Sequence, residues 1–178
     1  MQMRDFVVRF AGEGGQGVVT SAEGLAQSST QVGYHALTFA TFPSQILGGP
    51  TWTQARISVD PVLSAGDDVN VLVAFNREAY DAHQQDVLKD GVVIFNSTEF
   101  EIEGDDRSFG LPFEELAKST GNNRAANMVI MGSLAHLINM PQEHLTSFVQ
   151  ERFNRGRTED AEIIKSNIEA VSYTHLRA

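Results

Sequence analysis

The chain has 178 residues, 13 Lys+Arg against 23 Asp+Glu, a formal net charge of -10, and no cysteine. That length holds one ordinary domain, and 42% hydrophobic with 20% charged residues describes a folded globular chain. So acidic a surface repels phosphate backbones and anionic lipid heads. The missing cysteines exclude disulfides, thiolate nucleophiles, Cys-ligated zinc and any iron–sulfur cluster held by this chain.

Phe6 to Phe10 is short, β-branched and aromatic, which predicts a strand. It runs into Gly12-Glu13-Gly14-Gly15-Gln16-Gly17 and then a helix from Val18 to about Thr30, with Gly33 as its stop. Tyr34 to Phe39 reads as a second strand, Thr41 to Thr53 as an ordered loop holding the only Trp, and Gln54 to Val59 as a third strand. Val69 to Phe75 has almost no polar side, the pattern of a central parallel strand covered on both faces. A helix is expected over Arg77–Leu88 with Gly91 as its stop, then a buried strand Val92–Phe95 and an exposed acidic hairpin or loop over Glu99–Ser108. Helices follow over Phe113–Ser119, Asn123–Asn139 (apolar nearly all round, hence buried), Pro141–Phe153 and Thr158–Ala170. Strands alternating with helices predict an α/β fold: three layers, a mainly parallel sheet with helices on both faces, and a Rossmann-like glycine loop after the first strand. No run of residues reaches the ~18 apolar positions of a membrane span, and the first residues show no signal-peptide core, so a cytoplasmic protein is expected.

Gly12, Gly14 and Gly17 fit G-x-G-x-x-G between a strand and a helix, the context that motif requires. Such a loop either lets backbone N–H groups approach an anion at a helix N-terminus or simply makes a tight turn. A dinucleotide would need an acid at the end of the second strand. Tyr34 to Thr41 contains none, and Glu13 would repel a pyrophosphate, so NAD is disfavoured. Gly15 and Gln16 complete the loop, Gln16 offering both a donor and an acceptor without charge. A second glycine pair, Gly48-Gly49, leads to Arg56. It reads either as a mobile turn beside the first loop, with Arg56 available to a carboxylate or phosphate, or as a loop packing Trp52 and Phe42 on the sheet. Asn76 follows the central strand where open α/β sheets place ligands, and is more simply a helix cap. Asn127 sits between apolar neighbours and needs a partner. No Ser–His–Asp order, paired carboxylate or phosphate-loop lysine is present. No two of the five histidines, His35, His83, His136, His144 and His175, stand at the spacing of a helical metal pair.

The Gly12–Gly17 loop, the Pro43–Arg56 segment with Gly48-Gly49, the Val69–Asn76 strand, and Asn127-Met128 with Met131-Gly132 together resemble the gamma domain of 2-oxoacid:ferredoxin oxidoreductases. The resemblance runs from about Phe6 to Phe153 and is nearest to the N-terminal part of a fused gamma-alpha subunit of the 2-oxoglutarate type. It implies an enzyme that oxidatively decarboxylates a 2-oxoacid to an acyl-CoA and passes electrons to ferredoxin. It also implies thiamine diphosphate, magnesium and an iron–sulfur cluster held by an alpha region and a beta subunit, not by this chain, with CoA as co-substrate. Carried over by residue, it places Gly12, Gly14, Gly15, Gln16, Gly17, Gly48, Gly49 and Arg56 in a CoA-side or anion site, to which the reading of the residues adds Asn76 and Asn127. Many members carry Arg immediately before the Gly-Gly pair, where this chain has Leu47. An assembly domain with no ligand of its own is the alternative. Val171 to Ala178 resembles a translated sequencing adapter, so residues 1–170 are expected to be the native domain of a longer subunit.

Overall fold

The computed structural model describes residues 4–42, 49–122, 125–138, 140–157 and 159–175, the last three by their backbone alone. Strand β1 (Asp5–Glu13) alternates strictly. Phe6, Val8 and Phe10 face one core, while Val7 and Ala11 face another. The chain turns at Gly17, whose φ of 83° only glycine adopts without strain, into α1 (Val18–Gln31). Gly33, at φ 93°, ends that helix and redirects the chain into β2 (His35–Thr41).

Next, β3 (Pro50–Ser58) is longer than expected: Trp52 lies inside the strand, paired with Ala11 of β1, instead of in a loop. Then β4 (Val69–Ala74) leads to α2 (Arg77–His83). This helix ends five residues before the expected Leu88, because Val87 is taken into β5 (Val87–Asn96) and pairs with Val69. Gly91 is therefore no helix stop. It stands where the β4–β5 register shifts, and a Cβ there would lie 2.8 Å from the Asn70 carbonyl oxygen.

A strand absent from the sequence expectation, β6 (Ser108–Leu111), adds to β5 in parallel. It is followed by α3 (Phe113–Ser119), α4 (Ala126–Leu137), α5 (Gln142–Phe153) and α6 (Asp160–His175). Helix α6 continues past Ala170, which is buried together with Val171, and Ser172 accepts a hydrogen bond from Gln142 on α5.

The sheet order is β2-β3-β1-β4-β5-β6. All strands run one way except β3, which is antiparallel to both neighbours. The sheet is thus mixed but mainly parallel, with helices on both faces. On one face α1 and α3 to α6 bury the larger core, including every residue of α4 from Asn127 to Ala135. On the other, α2 covers β1 and β4 through Ala79, while Phe100 and Ile102 pack from the segment after β5. After β1 the chain crosses to one side and after β4 to the opposite face. The carboxyl ends of these two neighbouring strands therefore flank a crevice, the place where open α/β sheets bind ligands.

Candidate functional site

The loop at this crevice is built by its own residues. Gln16 Oε1 accepts the Glu13 N–H at 2.7 Å, and the Gln16 N–H donates to the Glu13 carbonyl at 3.2 Å. Gln16 therefore staples the loop and does not reach out of it. Gly12 must be glycine for the same reason: a Cβ there would meet Gln16 Oε1 at 2.4 Å and Phe75 Cβ at 2.8 Å. The Gly14 N–H donates to the Gly49 carbonyl at 3.4 Å, a contact that brings the second glycine segment to the first loop. Gly48 lies outside the described residues.

A cleft of about 290 Å³ opens beside this loop, lined by Glu13, Gly14, Gly15, Gly17, Val18, Val19, Thr20, Phe42 and Thr51. No side chain caps α1, and its first turn carries no acid. The first backbone bond to its N-cap comes from Ser21 to Gly17, so the N–H groups of Val18, Val19 and Thr20 find no acceptor among the described residues. Three donors without an acceptor among the described residues thus stand at the positive end of a 14-residue helix, an arrangement of the kind that suits an anion. Helix α4 likewise starts with no side-chain cap and no acid, and its Asn127 lies against Gly17. Two bare helix N-termini thus converge. Glu13, exposed at the mouth, is the one opposing charge among the cleft-lining residues.

The remaining expected residues separate. Asn76 caps α2, its Oδ1 accepting the Ala79 N–H at 2.8 Å. Arg56 is not beside the loop. In register it opposes Val7, while Thr51 opposes Gly12, which puts Arg56 roughly 17 Å further along the strand. There its guanidinium forks onto Asp5, at 3.0 Å from Nε and 2.6 Å from Nη2, and also reaches Ser64. Contrary to the expectation from the sequence, Arg56 is not available to a ligand on the glycine loop. The Arg56 hydrogen bonds hold the Asp5 carboxyl below the usual carboxylate range, and Asp5 raises the Arg56 guanidinium in return.

A second polar assembly has only one signal in the sequence, an arginine in the middle of an apolar strand. Arg9 is 6% exposed and lies 4.6 Å over the Trp52 ring. Its Nε donates to Gln54 Oε1 at 2.9 Å, and Nη1 meets His83 Nδ1 at 3.2 Å and the Asp86 carboxylate. Gln54 in turn donates to the Ala65 and Gly66 carbonyls. This bracket ties β1, β3 and the end of α2 together. Burial, then the nearby Arg9 cation, lower the His83 pKa against an opposing pull from Asp86.

Among the described residues no three His, Cys, Asp or Glu side chains are grouped to hold a metal ion, and no helix is long and apolar enough to cross a membrane. An iron–sulfur cluster does not fit a chain without a thiolate.

The fold and the loop define an α/β domain with a glycine-lined crevice at the carboxyl ends of β1 and β4. Residues 7–175 match the family described as Pyruvate ferredoxin/flavodoxin oxidoreductase, and the chain belongs to that family. It is 34% identical over 139 residues to ketoisovalerate oxidoreductase subunit VorA of Methanothermobacter marburgensis, covering 76% of this chain but 29% of that subunit. The chain therefore spans less than a third of that relative. The 2-oxoglutarate:ferredoxin oxidoreductase of Magnetococcus marinus, solved with 2-oxoglutarate, coenzyme A and succinyl-CoA bound, superposes with a TM-score of 0.85 at 26% identity, over 99% of this chain and 32% of that one. The gamma subunit of a keto/oxoacid ferredoxin oxidoreductase from Geobacter sulfurreducens shares the fold from end to end, with a TM-score of 0.80 at 22% identity and 99% of both chains covered. The chain thus carries, within this family, the fold of that gamma subunit.

Proposed function

We propose that this domain serves the CoA side of a 2-oxoacid:ferredoxin oxidoreductase, helping to turn a 2-oxoacid into its acyl-CoA. The free N–H groups of Val18, Val19 and Thr20 above a 290 Å³ cleft carry this reading, because they offer a preformed seat to a phosphate-type anion such as the diphosphate of CoA. Thiamine diphosphate, magnesium and the iron–sulfur cluster belong in this reading to an alpha region and a beta subunit, with ferredoxin as electron acceptor. We assign 2-oxoglutarate as the 2-oxoacid, supported by the likeness to the Magnetococcus enzyme.

Within the domain, Gln16 holds the loop in shape, Gly14 and Gly15 keep its rim free of side chains, and Phe42 with Thr51 forms the opposite wall. Titrating CoA into the chain should shift the amide NMR signals of Gly12 to Thr20 and leave those of Arg56 and Ser58 in place. If no signal in the loop moves at millimolar CoA, the ligand-binding reading falls. The second reading, an assembly domain with no ligand, is favoured by an exposed aromatic at the same rim: Phe42 is 72% exposed.

A further inference from the structure

Strand β2 ends the sheet and pairs only with β3 among the described residues. The Thr41 carbonyl accepts the Thr51 hydroxyl at 2.6 Å and so points towards β3. Backbone direction alternates along a strand, so Ala36, Thr38 and Ala40 turn their N–H and C=O groups to the open edge. Such an edge is a template for another strand, and proteins commonly blunt it with charged residues or proline. The seven residues of β2, His-Ala-Leu-Thr-Phe-Ala-Thr, include no Asp, Glu, Lys, Arg or Pro. No Asp, Glu, Lys or Arg occurs anywhere from Gly24 to Ala55, the longest such stretch of a chain whose net charge is -10. Within it Val32, Phe39 and Phe42 are exposed. Leu37 and Phe39 stand in register with Arg56 and Gln54 of β3, on the face where α2 packs on β1 and β4.

The strand is also self-complementary. Its sequence is nearly mirror-symmetric about Thr38, which is flanked by Leu37 and Phe39 and then by Ala36 and Ala40. An antiparallel copy related by a two-fold axis at Thr38 sets Thr38 against Thr38, Leu37 against Phe39 and Ala36 against Ala40. Large apolar pairs then meet on the α2 side, and small residues on the side where α1 packs. Ala36, Thr38 and Ala40 all face the edge, so the donors of one copy meet the acceptors of the other.

We propose that β2 is a self-association edge, through which two copies of this domain pair antiparallel about Thr38 into one continuous sheet. A second copy is the occupant the strand fits, because the mirror pattern matches it to itself. The charge of -10 on each copy opposes their approach, and the uncharged stretch around β2 is where that repulsion is least. The pairing is independent of what the crevice binds.

Sedimentation equilibrium of the 178-residue chain at high micromolar concentration should give twice the 19.5 kDa chain mass. Residue 38 faces itself across the axis, so Thr38→Glu and Thr38→Lys each bring like charges together and should be monomeric. An equimolar mixture of the two should recover the dimer, which also shows that both variants fold. Thr38→Pro removes an edge-facing N–H and no bond to β3, and it decides the matter if the charged variants do not fold. It should raise the dimer dissociation constant at least tenfold, and an unchanged constant overturns the proposal. Phe109→Lys, on β6 at the other edge of the sheet, should leave the dimer intact, and a monomeric Phe109→Lys chain overturns the assignment to β2. A monomeric wild-type chain overturns the proposal and gives the edge to a different partner. A dimer that persists in both charged variants, or folded variants that stay monomeric when mixed, overturns it as well.

Discussion

Strands β1 and β3 run side by side through nine residue pairs, from Asp5 opposite Ser58 to Glu13 opposite Pro50. Their two ends do opposite things. At one, Arg56 forks onto Asp5 and reaches Ser64, so the guanidinium is satisfied by partners the chain itself supplies. At the other, two glycine-containing segments and two bare helix N-termini meet, leaving backbone donors with no acceptor among the described residues. The difference is one of satisfaction: Arg9 and Arg56 are spent on intramolecular pairs, whereas the oriented N–H groups at the start of α1 meet no acceptor among the described residues, which is why the proposed ligand is placed there.

The most severe way to break this contrast is at the open end. Gly17→Ala forces a non-glycine residue into a left-handed conformation, at about 1–2 kcal/mol, and drives a methyl group into Asn127, at about 1–3 kcal/mol for overpacking. A combined loss of roughly 2–5 kcal/mol in denaturant unfolding is expected. A loss under about 0.5 kcal/mol, the level of an unremarkable surface change, would mean that the loop relaxes freely and is not held as described.

Between the two ends lies the Arg9 bracket, which gives a smaller, pH-dependent effect. His83 is held neutral by burial and by Arg9, so its folded pKa lies below its unfolded value of about 6.5. The unfolded chain then binds the proton more readily than the folded one. This contribution to stability is present above about pH 6.5 and is lost as pH falls from there through the folded pKa. His83→Gln, which keeps an acceptor for Arg9, should flatten the stability profile below about pH 6.5. An unchanged slope in the variant would show that His83 does not face Arg9 in its neutral form.

How far the sequence reveals this arrangement depends on the range of the forces involved. The glycine loop, the α1 start and the Asn76 cap are local, so residue type and spacing are enough to place them. The end of α2 is not local: residues 84 to 88 suit a helix, but Val87 gains more by pairing with Val69 across the sheet. Strand β6 is only four residues long and draws its stability from lying beside β5, with Gly110 against Phe95, so no periodicity announces it. Asn127 is legible as a polar residue in an apolar helix, whereas its neighbour Gly17 lies 110 positions away and is found only in three dimensions.

Arg56 is the sharpest case and carries the smallest predicted effect. Its placement three residues beyond Thr53 on a strand leading from a glycine pair makes it a candidate anion ligand, but strand direction carries it to the far end of the sheet. Its ion pair with Asp5 is solvent-exposed, and such pairs contribute about 0.2–1 kcal/mol at most after screening. Arg56→Ala should therefore cost less than about 1 kcal/mol, shrinking further in high salt. The pair lowers the Asp5 pKa, so its contribution is present above about pH 4, the ordinary aspartate pKa, and disappears as pH falls through the folded value. The same variant should bind coenzyme A as the wild-type chain does. An affinity reduced tenfold by Arg56→Ala would join the two ends that the structure keeps roughly 17 Å apart along β3, and the contrast between them would fail.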